Sequence, residues 1–120
     1  MRVTSWFVLL FCCLVAAGCK QTKTTDELVG DLESGSEPQR VAAVRLLPER
    51  KEDAAKIIPA MIVSLKDSQN DVRLSAAIGL GSFGPNASSA IPALQAATKD
   101  RDARVRRAAG IALQRIEGNP

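Results

Sequence analysis

Aspartate and arginine recur at a fixed offset in this chain: Asp67 precedes Arg73 by six residues, and Asp100 precedes Arg106 by six. A carboxylate and a guanidinium can form a bidentate, charge-assisted hydrogen bond, and either can instead be offered to a partner. An Asp at an inter-helix turn also accepts from backbone N–H groups that the next helix start leaves without acceptors. Structural use of these residues is the expectation, with partner binding by the arginines as the alternative. Glu27 with Asp31, and the cluster Glu49, Glu52 and Asp53, are the other carboxylate groupings. Near helix starts and loops they suit the helix dipole better than they suit a cation.

Catalysis would need an acid, base or nucleophile whose pKa a pocket can tune. The chain has no His and no Tyr, and of its three Cys, Cys12 and Cys13 fall inside an apolar leader. No catalytic and no cofactor-binding residue is assigned, and the chain reads as a non-enzyme. With neither His nor a free thiol, only oxygen ligands remain, in no recognisable loop, so no metal site is expected. One Cys beyond the leader also rules out a disulfide framework.

Met1-Arg2 is followed by Val3 to Ala17, a stretch without Asp, Glu, Lys or Arg, and then by Gly18-Cys19-Lys20. A basic start, an apolar middle and small residues before a break predict a cleaved secretory signal peptide over 1–18. The uncharged run of about 17 residues falls short of the roughly 20 that a membrane-spanning helix needs. Leu14-Val15-Ala16-Ala17-Gly18-Cys19 resembles the lipobox of bacterial lipoproteins, in which the Cys is acylated and becomes the first mature residue. The match is good at Ala17, Gly18 and Cys19 and looser at Ala16, where Leu is commoner. This resemblance implies lipidation of Cys19 and a cell-envelope location, with two or more acyl chains giving a stable anchor. Lys20 is not the acidic residue some bacteria use for inner-membrane retention, which favours the outer membrane where there are two. An ordinary signal peptide with Cys19 incidental, and an uncleaved anchor, are the alternatives. The polar stretch 19–25 is read as a lipidated tether, whose six residues after Cys19 reach about 13 Å.

The rest of the chain repeats itself. Asp53 to Phe83 reappears as Asn86 to Ile116, with 11 identities in 31 paired positions. The period, about 33 residues, lies in the range of solenoids, in which each unit buries its apolar face against its neighbours. Apolar residues recur at helical spacing throughout: Leu28, Val29 and Leu32; Val41, Val44 and Leu47; Ile57, Ile58, Met61, Ile62 and Leu65; Val72, Ala76, Ala77 and Leu80; Ile91 and Leu94; Val105, Ala108, Ala109, Ala112 and Leu113. Helix starts are expected near Thr25, Pro38, Asp53, Asn70, Ala87 and Asp102, with Gly81, Gly84 and Pro85 as a break. The prediction is an all-α solenoid of about three helix pairs spanning 26–117, with repeats near 26–50, 51–83 and 84–117. With Phe83 the sole aromatic outside the leader, its core must be aliphatic.

Residue identities select among repeat types of this length. The Thr-Pro-Leu-His turn of ankyrin units is absent, as are the Trp and Tyr positions of tetratricopeptide units. Ile58-Pro59, Asp67, Val72-Arg73, Ala76-Ala77 and Leu80, matched by Ile91-Pro92, Asp100, Val105-Arg106, Ala109 and Leu113, resemble the short HEAT-like repeat. The first copy keeps Leu32, Arg40, Ala43 and Leu47 but has Ser34 at the Asp position and Gln39 at the Val position, which suits an end cap. The resemblance implies that Asp67, Arg73, Asp100 and Arg106 form a ladder linking successive turns, the acid capping a second helix and the Arg bonding across. It also implies that the second helices, about 38–47, 70–81 and 103–116, line a concave partner surface. Leu74, Ile78 and Ile111 lie off the main apolar stripe, and either line that face or pack between repeats.

The last repeat is basic, with Lys99, Arg101, Arg104, Arg106, Arg107 and Arg115, while the chain carries only +3. Export removes it from cellular DNA, and no aromatic is interleaved for base stacking, so nucleic acid is not an expected partner. A solvated face is the plain reading, and contact of Arg104 and Arg107 with an acidic protein or with anionic lipid headgroups is the functional one. Together these features predict a membrane-anchored lipoprotein that scaffolds protein–protein interaction. The alternatives are an accessory subunit of an envelope enzyme, given the resemblance to HEAT-like chromophore lyases, or a self-associating structural envelope protein.

Overall fold

A computed structural model of the chain describes residues 22–119. The leader, the lipobox and Cys19 lie outside the described residues. Six α-helices occur among those described, with no strand: α1 Thr25–Ser34, α2 Glu37–Leu46, α3 Ala54–Ser64, α4 Asn70–Ser82, α5 Ile91–Ala97 and α6 Ala103–Glu117. They form three helix pairs, and the pairs stack so that α4 packs between α2 and α6 while α3 follows α1. No described helix is long and apolar enough to cross a membrane.

The helix starts are chemically specified. Thr24, not Thr25, is the first N-cap: its hydroxyl accepts from Glu27 N–H, and the Glu27 carboxylate accepts from Thr24 N–H at 2.6 Å. This reciprocal capping box holds the Glu27 carboxyl below its ordinary range. Thr25 is thereby drawn into the helix, where it is buried and donates its hydroxyl to Asp53. The expected tether therefore ends one or two residues earlier than read from the sequence. Ser36 and Gln39 form an equivalent box at α2, and Asp102 caps α6.

The fifth helix is shorter than its spacing suggests. Gly84–Ala90 winds as a 3-10 segment with Ala87 outside helical geometry, and α-helix begins only at Ile91. In the preceding repeat the corresponding 3-10 turn covers only Lys51–Asp53, and Ala54 to Ile57 is already α-helical even with Pro59 inside α3. The longer turn goes with Ser88 and Ser89, poorer helix formers than the Ala55 and Lys56 they replace. Pro92 then sits in the first turn of α5, where its missing N–H costs nothing.

Leu28, Val44, Leu47, Ile57, Met61, Val72, Leu80, Leu94 and Val105 are essentially inaccessible and form one continuous aliphatic core. Phe83 packs at its edge, with the Lys51 ammonium 4.2 Å from the ring centroid and bonded to the Ser82 carbonyl at 2.8 Å. Burial pushes the Lys51 amine down from its usual value. This contact pins the link between the first and second repeats onto the end of α4.

Candidate functional site

Two arrangements stand out: a ladder of ion pairs along the inter-helix turns, and an apolar groove on the layer of second helices. The ladder does not join the residues six apart. Arg40 grips Asp67 through Nε at 2.8 Å and Nη2 at 3.3 Å, and Arg73 grips Asp100 through Nε at 2.9 Å and Nη2 at 3.0 Å. Each rung thus runs from one repeat to the next. Within a repeat the contact is to backbone: Nη1 of Arg73 donates to the Asp67 and Ser68 carbonyls, and Nη1 of Arg106 to those of Asp100 and Arg101. The acids also cap, since Asp67 accepts from Gln69 N–H and Asp100 from Asp102 N–H, each at 2.9 Å.

These contacts set the charges. The Arg73 hydrogen bond holds the Asp100 carboxyl below its ordinary range against the effect of burial. Burial works to raise Asp67, but Arg40 and the Gln69 N–H outweigh it and the carboxyl is also lowered. Asp102, bonded to the Arg104 side chain and N–H, is lowered to about 2. Arg40, absent from the sequence-derived ladder, is its first rung, and its place one repeat period before Arg73 is the signal for it. The other carboxylates form no metal-binding group among the described residues. Asp31 pairs with Lys23 at 2.5 Å, and Glu27 and Asp53 serve the start of α1.

The groove lies between α4 and α6, with a volume of about 350 Å³. Its floor is Leu74, Ala77, Ile78, Ala108 and Ile111, and Arg104, Arg107 and Arg115 stand along it. Ile78 is 53% and Ile111 44% exposed, so these two large apolar side chains are only half covered. Leu74 and Ile78 also border a second groove against α2, of about 390 Å³, lined further by Val44, Arg45 and Pro48. The structure therefore brings Leu74, Ile78, Ile111, Arg104 and Arg107 onto one surface. Arg104 is engaged there with Asp102 at 2.9 Å and Asp71 at 3.3 Å. Arg107 and Arg115 meet no carboxylate among the described residues.

A family model for HEAT repeats matches residues 25–114, which takes in all three helix pairs. The chain belongs to the HEAT-repeat family. HEAT repeats commonly serve as scaffolds for protein–protein interaction. A search of curated proteins finds no match to this chain.

In this HEAT-repeat chain Gly81 is not part of a break but a buried residue inside α4. A Cβ there would lie 3.0 Å from the Ala112 Cα and 3.1 Å from its Cβ, so Gly81 sets how closely α4 approaches α6. The small residues Gly81 and Ala112 are the sequence signal of that close contact. Gly81→Val is expected to lower stability by about 1–3 kcal/mol through overpacking and to spread the groove. Thermal unfolding checks the first effect, and an unchanged melting temperature would show that the helices separate freely.

Proposed function

We propose that the chain is an exported lipoprotein, held in the cell envelope by acyl chains on Cys19, that presents the α4–α6 groove to a protein partner. The observation that carries the interaction half is the pair Ile78 and Ile111, half exposed on a preformed groove beside Arg107 and Arg115, which meet no carboxylate among the described residues. Apolar surface of this kind, rimmed by polar groups, marks interaction sites, and arginine is enriched at them. The anchoring half rests on the apolar leader followed by Ala17-Gly18-Cys19, and the folded domain beginning at Thr24 supports a membrane-proximal setting. The mechanism is geometric: the stacked pairs hold the surface stiff, and the lipid raises its effective concentration for a partner at the same membrane. The outer membrane is the favoured site because Lys20 follows the Cys.

Mass spectrometry of the full-length chain expressed in a bacterium tests the anchor, with acylated Cys19 as the expected N-terminus and Cys19→Ser expected to stay out of the lipoprotein fraction. Cleavage elsewhere would overturn it. A photocrosslinker at Ile78 tests the surface in the same cells. A discrete adduct that Ile111→Asp and Arg107→Glu both abolish is expected, and an adduct indifferent to both would remove the groove from the function.

A further inference from the structure

The groove between α4 and α6 carries charge of one sign. The chain has 16 basic and 13 acidic residues, so a mixed lining is the default, yet every charged side chain on this groove and on its neighbour against α2 is an arginine. Arg104 is taken up by Asp71 and Asp102, which leaves Arg107 and Arg115 as the charges that face an incoming ligand. They stand eight residues apart on α6 with Ile111 midway, so about 12 Å of helix presents cation, apolar side chain and cation in line. The Arg115 stem reaches toward α4, its Cδ 3.7 Å from where a Gly81 Cβ would stand. The floor offers no hydroxyl, amide or carboxylate side chain, and its residues belong to α4 and α6, whose backbone groups bond within their own helices.

Resting on the reading of this groove as a partner site, we infer that its occupant is a single acidic amphipathic helix. It lies along α6 with two carboxylates about 12 Å apart, one on either side of a large apolar side chain. An extended strand would press backbone N–H and C=O groups onto a floor that cannot bond them, whereas a helix satisfies its own. An acyl chain also needs no such bonds, but a lipid brings one headgroup to one end, and the arginines stand on both sides of Ile111. The apolar leader of this chain has no Asp or Glu, so it does not supply the charge. Nor does a second copy, because no described helix has two acids eight residues apart. Asp26 and Glu33 of α1, seven apart, flank Val29, which packs against the core, and Lys56 holds Asp26. The occupant is therefore a different polypeptide, and its acids select it against basic or neutral amphipathic helices.

The test is a phage-displayed library of helices randomised along one face and selected on the full-length chain in mild detergent. Acids are expected to be enriched about eight positions apart, with a large apolar residue between them. The most enriched helix, synthesised with a fluorescent label, is then titrated by anisotropy. Arg107→Glu should weaken it on the order of tenfold, and replacing the facing Glu of the helix by Lys should recover the loss. Ile111→Asp should abolish binding. Both substituted side chains are exposed, so the fold is retained, which thermal unfolding verifies. Selection of helices without acids, or an affinity indifferent to Arg107, overturns the assignment. Arg107-dependent binding of phosphatidylglycerol vesicles without binding of the helices overturns it in favour of a lipid surface, and Arg107-dependent self-association overturns it in favour of a second copy. The crosslinker at Ile78 separates this failure from that of the groove itself: an adduct that still depends on Ile111 while selected helices lack acids removes only the acidic helix, and loss of the adduct removes both.

Discussion

Arg73→Ala is expected to lower stability by about 3–5 kcal/mol, because it leaves Asp100 ionised and largely buried without its counter-charge. The Arg73 side chain is 5% and the Asp100 side chain 11% exposed, so solvent screens this rung little. Asn70 and the Asp67 and Ser68 carbonyls lose a donor in the same substitution. For a domain of this size that corresponds to a fall in melting temperature of more than about 12 °C. The other arginines provide the scale. Arg40→Ala, from a rung 19% and 13% exposed, should cost about 1.5–3 kcal/mol. Arg106→Ala, with no carboxylate to orphan among the described residues, should cost under about 1 kcal/mol. A measured order other than Arg73, Arg40, Arg106 would mean that the rungs do not join the repeats. Acid titration reads the same device. Asp67 and Asp100 have folded pKa values below their unfolded ones, so their contribution is complete above the unfolded value of about 3.9 and is lost as pH falls through the folded values. The melting temperature should be level from pH 7 to about 5 and drop below about pH 4. The Arg73→Ala variant should show a shallower drop.

Leu80→Ala should be comparably damaging, with a loss of about 2–5 kcal/mol. Leu80 is fully buried on α4, the helix that packs against both α2 and α6. A cavity there loosens both inter-repeat contacts, and the core has no aromatic side chain nearby large enough to collapse into it other than edge-packed Phe83. Leu113→Ala, the equivalent change in the last repeat where the side chain is only partly covered, should cost roughly half or less. Urea unfolding measures both, and an unchanged dependence on denaturant would show that the effect lies in stability and not in the extent of the cooperative unit. Equal losses at Leu80 and Leu113 would contradict the picture of a central repeat buried on two sides and a last repeat buried on one.

Local chemistry makes much of this fold legible in the sequence. Helical spacing of apolar residues, Asp and Thr caps, and the recurrence of whole segments depend on pattern along the chain, so the six helices and the core positions Leu28, Met61, Val72, Leu80 and Leu94 can be read directly. Setting Leu74, Ile78 and Ile111 apart from the main apolar stripe is likewise a matter of angle around a helix. Distance in space is not available in this way. The Asp–Arg spacing of six residues does not name the partner of either group; the resemblance implied a ladder linking successive turns, and only stacking shows Arg40 and Arg73 each reaching an acid 27 residues away. Ala87 to Ala90 belongs to a 3-10 turn where the sequence reading already starts the fifth helix. Gly81 reads as punctuation until Ala112 is seen against it. Sequence by itself determined the helices, the repeat and the family, because each rests on local pattern. The tertiary structure decided the partners in the ladder, with Arg40 as its first rung, and the depth of the groove, because each depends on how one repeat lies on the next.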